Sequence, residues 1–133
     1  MSGQSVSEGA SILVIDDDVL MLELIALHLT SAGYQVRTAE DAVDGGRMML
    51  ESQPDLLLSD INMPYLNGLE LVEAMRGDDN TVNVPVIFLS SMRDDATFER
   101  ARKHRACAFL AKPVTREELL KTVSKVLDNP KPL

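Results

Sequence analysis

The sequence predicts an α/β domain with a doubly wound five-stranded parallel sheet, order 2-1-3-4-5, and five helices. Three observations predict it. Apolar runs and helical patterns alternate five times along the 133 residues, as parallel strands joined by helical crossovers do. The run LLL from Leu56 is continuously apolar, which suits a central strand covered on both faces. Four of the runs end in polar residues: Asp16 and Asp17 after ILVI, Asp60 after LLLS, Ser90 after VIFL, and Lys112 after FLA. In a parallel sheet those ends converge on one edge.

Each element has its own signal. The first strand, residues 11–16, passes through Asp17 and Asp18, both good N-caps, into a helix over about 19–32 that Gly33 ends. A short second strand covers 35–39, and a helix from about 41 to 52 is stopped by Gln53-Pro54. The third strand, 56–59, leads into a loop over 62–68 rich in turn formers. A helix follows over about 69–77, then a polar loop at 78–80 and the fourth strand at 85–89. The charged fourth helix spans 94–104 and the fifth strand 106–111. The last helix spans 115–127, with Thr115 and Glu118 spaced as a capping box. Residues 1–10, Ser/Gly-rich, read as a disordered tail, 11–128 as one domain, and 129–133 as a tail or the start of a linker.

Composition narrows the functions. Asp+Glu number 21 against Lys+Arg 13, a formal net charge of −8, and few aromatics are present. Direct nucleic-acid binding is not expected, because it needs a basic stripe and stacking rings. The longest nearly apolar stretch, 19–29, is interrupted by Glu23 and His28, so no membrane span is expected. One cysteine, Cys107, forms no internal disulfide and fits a reducing, cytoplasmic location.

The polar strand ends carry the chemistry. Ligands bind outside the carboxyl ends of parallel strands where strand order reverses. In the predicted order, strands one and three flank that point and end in Asp16-Asp17 and Asp60. Two carboxylates about 5 Å apart repel by roughly 3 kcal/mol at an effective dielectric near 20. A divalent cation would relieve this. Oxygen ligands favour Mg²⁺ over zinc, and neither His28 nor His104 falls at a strand end. A single Asp in such a place could be only a helix cap, but Ser90 and the Lys112-Pro113 pair add independent positions to the pattern.

ILVIDDD, LLLSDINMPYLNGLEL, VIFLSS and FLAKPVTREELL together resemble a bacterial two-component response-regulator receiver domain over residues 11–127. The resemblance implies a flavodoxin-like fold, with Asp60 as phosphoacceptor. It implies Mg²⁺ (or Mn²⁺) held by Asp17, Asp60 and the backbone carbonyl of Asn62, with Asp16 acting mainly through water. Lys112 would pair with the acceptor and then with the phosphoryl group, Ser90 would bind the phosphoryl oxygens, and Phe109 would be the switch aromatic. The implied partners are a histidine kinase or histidine phosphotransfer protein and a downstream effector domain or protein; a phosphorylation-dependent homodimer is also compatible. The expected role is signalling rather than enzymatic turnover. A Mg²⁺-dependent phosphatase with an aspartyl-phosphate intermediate shares such an acidic site, but its DxD pairing is lacking at Asp60, where Asn62 stands two residues on.

Three positions depart from the family pattern. Arg105 stands where a glycine commonly ends the fourth helix, and a slightly altered turn is the expected result. Ser91 replaces the usual small residue after the switch hydroxyl. Met92 stands where a polar side chain can orient the hydrolytic water, and methionine offers that water no strong hydrogen bond. Asn62, Ser91 and Met92 are therefore expected to tune dephosphorylation. On the first helix, Met21, Ile25 and Leu29 are expected to face the sheet with Leu22 at the margin. Leu20, Leu24 and Leu27 then form a second stripe, either buried on a broad face or used to dock the phosphodonor. The basic residues Arg93, Arg100, Arg102, Lys103, His104 and Arg105 cluster around the fourth helix, where cations complement the helix dipole.

Overall fold

A computed structural model describes residues 9–91 and 94–133. The strands are β1 (Ser11–Ile15), β2 (Gln35–Ala39), β3 (Leu56–Asp60), β4 (Val86–Ser90) and β5 (Ala108–Ala111). They form one sheet of order β2-β1-β3-β4-β5, with every neighbouring pair parallel. The helices are α1 (Val19–Ser31), α2 (Ala42–Glu51), α3 (Gly68–Arg76), α4 (Asp95–Lys103) and α5 (Arg116–Asp128). Among the described residues, no helix is long and apolar enough to cross a membrane. The expected disorder of 1–10 falls largely on residues 1–8, outside the described residues.

The period of two along each strand divides the core. Ile12, Val14, Leu56, Leu58 and Ile87 pack with Leu22, Ile25 and Leu29 of α1 and Leu119 and Val123 of α5. Leu13, Ile15, Leu57 and Phe88 point the other way, onto Met49 of α2 and Val72 and Met75 of α3. The central strands are thus covered on both faces, as their unbroken apolar runs require. Gly45 lets α2 approach β1 closely, since a Cβ there would collide with the Ile15 side chain.

The α1 pattern differs from expectation by part of a turn. Leu22 is buried with Ile25 and Leu29, whereas Met21 is half-buried at the margin. Leu20, Leu24 and Leu27 are exposed, at 79%, 44% and 65%. The helix therefore carries an uncovered leucine stripe, and the broad buried face is not observed.

Helix ends also sharpen the reading. Gly33 (φ 98°) donates to the Thr30 carbonyl and Tyr34 to that of Leu29, a Schellman closure of α1. Arg105 makes the same closure for α4: its N–H donates to Arg102 O and that of Ala106 to Ala101 O. Its φ is 63°, so the left-handed turn is kept with a residue that strains it, and the expected altered turn is corrected. The reciprocal capping box forms at α3, between Asn67 and Glu70. At α5 the structure shows its hydroxyl half, Glu118 N–H donating to Thr115 Oγ1 at 3.1 Å.

Candidate functional site

β1 and β3 run side by side with Ile15 opposite Ser59, so the residues that follow, Asp16 and Asp60, emerge together where strand order reverses. Asp16 is fully buried and Asp60 nearly so, at 4%; Asp17 is exposed. One carboxylate oxygen from each of Asp16, Asp17 and Asp60 lies within 4.8 Å of the others. The chain tolerates this crowding partly through local bonds. Asp16 Oδ1 accepts from the Asp18 N–H at 2.9 Å, and Asp18 caps α1 by accepting from Met21 N–H at 3.2 Å.

Lys112 arrives from the end of β5 with its ammonium 2.8 Å from Asp16 Oδ2 and 3.3 Å from Asp60 Oδ2. Its N–H donates to Ser90 O at 2.9 Å, which ties the ends of β4 and β5, and the Lys112–Pro113 bond is cis. The cation is shared by two carboxylates and stands nearer to Asp16, a partner beyond the acceptor pairing expected for it.

One ammonium does not neutralise three carboxylates. Burial pushes the Asp60 carboxyl up from 3.8 to about 6; Lys112 opposes the shift, and Asp16 and Asp17 add to it. Burial alone would lower the Lys112 pKa, but the close contact with Asp16 and the charges of Asp60 and Asp16 outweigh it and raise the pKa. Asp16 Oδ2 is buried and, despite its 2.8 Å charge contact, has no partner in hydrogen-bonding geometry. Distance and orientation disagree there; the separation establishes the ion pair, while the orientation leaves the oxygen's lone pairs unsatisfied. Surplus negative charge, oxygen-only donors and an unsatisfied buried oxygen fit a hard divalent cation such as Mg²⁺ or Mn²⁺.

The remaining candidates surround this centre. Ser90 is fully buried at the end of β4, and Ser91 beyond it is exposed. Phe109 is half-buried on β5 opposite Phe88, and its ring meets Phe98 of α4 at a centroid distance of 5.8 Å, tilted by 53°. Asn62 is exposed two residues past Asp60. Met92 and Arg93 lie outside the described residues.

Several supporting residues have roles that the sequence reading missed. A Cβ at Gly68 would collide with the Asp60 carbonyl oxygen and lie 3.1 Å from Ser59 Oγ, so glycine allows α3 to abut the acceptor strand. Arg76 donates to the carbonyls of His104, Val82 and Val84 at 2.8–2.9 Å. Glu73 of α3 meets His104 Nε2 at 2.9 Å and Arg100 at 3.4 Å. Part of the basic cluster therefore fastens the end of α4 to α3, beyond complementing a dipole. A lone phenylalanine at position 98 on a charged helix was the available sign of the Phe98–Phe109 contact.

Comparison with known proteins agrees with this geometry. The response regulator receiver domain family matches residues 12–124. Protein PilH of Pseudomonas aeruginosa is 34% identical over 118 residues, 89% of this chain and 98% of that protein. A probable chemotaxis protein CheY of Rhizobium etli is 33% identical over 123 residues, 92% of this chain and 95% of that protein. The DNA-binding regulator RpaA of Synechocystis is 32% identical over 116 residues, 87% of this chain, and the chain spans about half of its length (48%). The structure of chemotaxis protein CheY4 from Vibrio cholerae superposes with a TM-score of 0.84 at 30% identity, covering 88% of this chain and 98% of that one. Strand order, acidic strand ends and these matches agree: the chain belongs to the receiver domain family of two-component response regulators, the modules of phosphorylation-activated signal transduction.

Proposed function

We propose that Asp60 accepts a phosphoryl group from the phosphohistidine of a histidine kinase or histidine phosphotransfer protein, and that the modified domain signals by changing its binding surface. The observation that carries the reading is the Lys112 ammonium held between Asp16 and Asp60 at 2.8 and 3.3 Å. Asp17, Asp60 and the Asn62 carbonyl are the residues assigned to Mg²⁺ or Mn²⁺, with Asp16 acting through water. When bound, the cation supplies charge neutralisation for the transferring phosphoryl oxygens.

In the transfer, an Asp60 carboxylate oxygen bonds to phosphorus as the phosphorus–nitrogen bond breaks, and the departing imidazole takes a proton. A carboxylate is a weak nucleophile, so alignment and charge neutralisation carry the step. Lys112 answers the charge that builds on the phosphoryl group, and Ser90 donates to one of its oxygens. A charge-assisted bond of roughly 1.5–3 kcal/mol is enough to bias a two-state loop by roughly ten- to a hundredfold. Movement of Ser90 toward the phosphoryl group would leave room for Phe109 to rotate away from Phe98. The surface around α4 and β5 then changes for a downstream effector domain or protein, or for a second copy of the chain. Residues 11–128 are assigned to this module, acting in the cytoplasm without direct contact to nucleic acid or membrane.

The exposed Leu20, Leu24 and Leu27 stripe starts beside the acidic site and is assigned to docking the phosphodonor protein. The test is labelling by acetyl phosphate with Mg²⁺: wild type takes up one phosphoryl group per chain and Asp60→Asn takes up none. Multiple turnover of small phosphate esters would instead mark a phosphatase.

A further inference from the structure

The two edges of the sheet are guarded differently. On one side β2 carries Arg37, with Gln35 and Thr38 exposed beside it, and a charged side chain on an edge strand discourages pairing with a second sheet. On the other side β5 reads Ala108-Phe109-Leu110-Ala111, with neither charge nor proline. Among the described residues no strand lies beyond it, so part of its backbone faces away from β4. The segment after α5 comes to this edge instead. The Asn129 N–H donates to Lys125 O at 3.0 Å as the helix closes, and the Lys131 N–H donates to Asn129 O at 2.7 Å, turning the chain at Pro130. The Leu133 N–H then donates to Ala106 O at 2.8 Å, at the foot of β5. Pro130 and Pro132 line a cavity of about 140 Å³ with Val84 and Pro85, where β4 begins. Leu133 lines another, of about 460 Å³, with Ala108 and Leu110 of β5 and Val126 of α5. The segment therefore crosses the feet of both strands and stands off from β5 across the larger cavity, tied at Ala106.

We propose that residues 129–133 are a strap that masks the outer edge of β5 and keeps a second copy of the chain from adding its own β5 there. The strap suits that task because it cannot itself extend the sheet. Pro130 and Pro132 have no N–H to donate, and the N–H of Lys131 between them is already bonded to Asn129 O. What it gives the strand is the Leu133 N–H; what it turns outward is a surface that no further strand can pair with. A second copy is the competitor the edge fits. A two-fold axis beside β5 would set two copies of the strand antiparallel and join their sheets through identical surfaces. The chain has a formal net charge of −8, which opposes most contacts between copies, but β5 carries no charge, so its side chains meet there without like charges directly opposed. All five strap residues are exposed, so the strap can leave without opening the core. The inference stands apart from the acceptor role proposed above.

The test is self-association of the full chain, followed by sedimentation velocity over a concentration series in EDTA without a phosphodonor. Leu133→Pro removes the N–H that ties the strap to Ala106, and Leu133→Ala keeps it. A triple variant, Pro130→Gly with Pro132→Gly and Leu133→Pro, removes the proline contacts as well, so that the strap is released even if those contacts alone would hold it. Dimers of the triple variant should form at a concentration at least tenfold lower than any association of wild type, with Leu133→Pro between the two and Leu133→Ala within threefold of wild type. Hydrogen exchange at concentrations above and below the dimer midpoint should show slower exchange in residues 108–111 of the dimer. Association of the triple variant within twofold of wild type overturns the inference, since the edge would then need no mask. Dimers whose exchange slows elsewhere while residues 108–111 are unchanged overturn it too.

Discussion

Replacing Asp60 with asparagine should stabilise the metal-free protein at neutral pH. Burial, with Asp16 and Asp17 alongside, moves the acceptor carboxyl from 3.8 to about 6 even though Lys112 opposes the change. The native state therefore holds this proton to higher pH than the unfolded chain does. Between pH 3.8 and about 6 the native state binds more protons, so this group's contribution falls as pH rises through that window and levels off above it. At about 1.36 kcal/mol per pH unit, the ionised carboxylate costs the fold about 3 kcal/mol. Asparagine keeps the shape and removes the charge, so about 1–3 kcal/mol should be recovered. Urea unfolding of both proteins in EDTA, at pH 4 to 8, measures the difference directly. It should be small near pH 4 and grow to its full value by about pH 7. A difference that does not change with pH, or an asparagine variant less stable than wild type at pH 7.5, would refute the argument.

Gly68→Ala would put a Cβ onto the Asp60 carbonyl oxygen; a loss of about 1–3 kcal/mol in denaturant unfolding, with slower acetyl phosphate labelling, is expected. Leu20→Glu and Leu27→Glu change side chains that are 79% and 65% exposed, so stability should move by less than about 0.5 kcal/mol. Acetyl phosphate labelling should persist in both while transfer from a phosphorylated protein donor drops; loss of both activities would point to misfolding instead. Met92→Glu should speed decay of the phosphorylated form by giving the hydrolytic water a strong acceptor, and equal decay rates in the two proteins would dismiss that role.

Much of the fold was legible because it follows from periodicity. Unbroken apolar runs at 12–15 and 56–58 specify central strands, and caps at Asp18 and Thr115 mark helix starts through local bonding alone. The four polar strand ends indicated which side chains would gather, since parallel strands deliver their ends to one edge. Their detailed bonding was not legible. That Lys112 stands closer to Asp16 than to Asp60 depends on where two loops end in space. On α1 a stripe of alternating leucines has no sequence mark telling Met21 from Leu22, and packing against α5 and the sheet decides it. Arg105 also misled, because the Schellman closure at the end of α4, with Arg76 donating to the neighbouring His104 carbonyl, holds a left-handed residue that local preference disfavours. Gly68 looked like an ordinary turn residue until α3 was seen against the Asp60 carbonyl.

The most direct test of the account is to locate the modification itself. The protein is incubated with acetyl phosphate and Mg²⁺, then digested and analysed by mass spectrometry beside Asp60→Asn. The account predicts a single phosphoryl group per chain, confined to Asp60, absent from the variant and absent when EDTA removes the cation. A phosphoryl group on another residue, or equal labelling of Asp60→Asn, would contradict it.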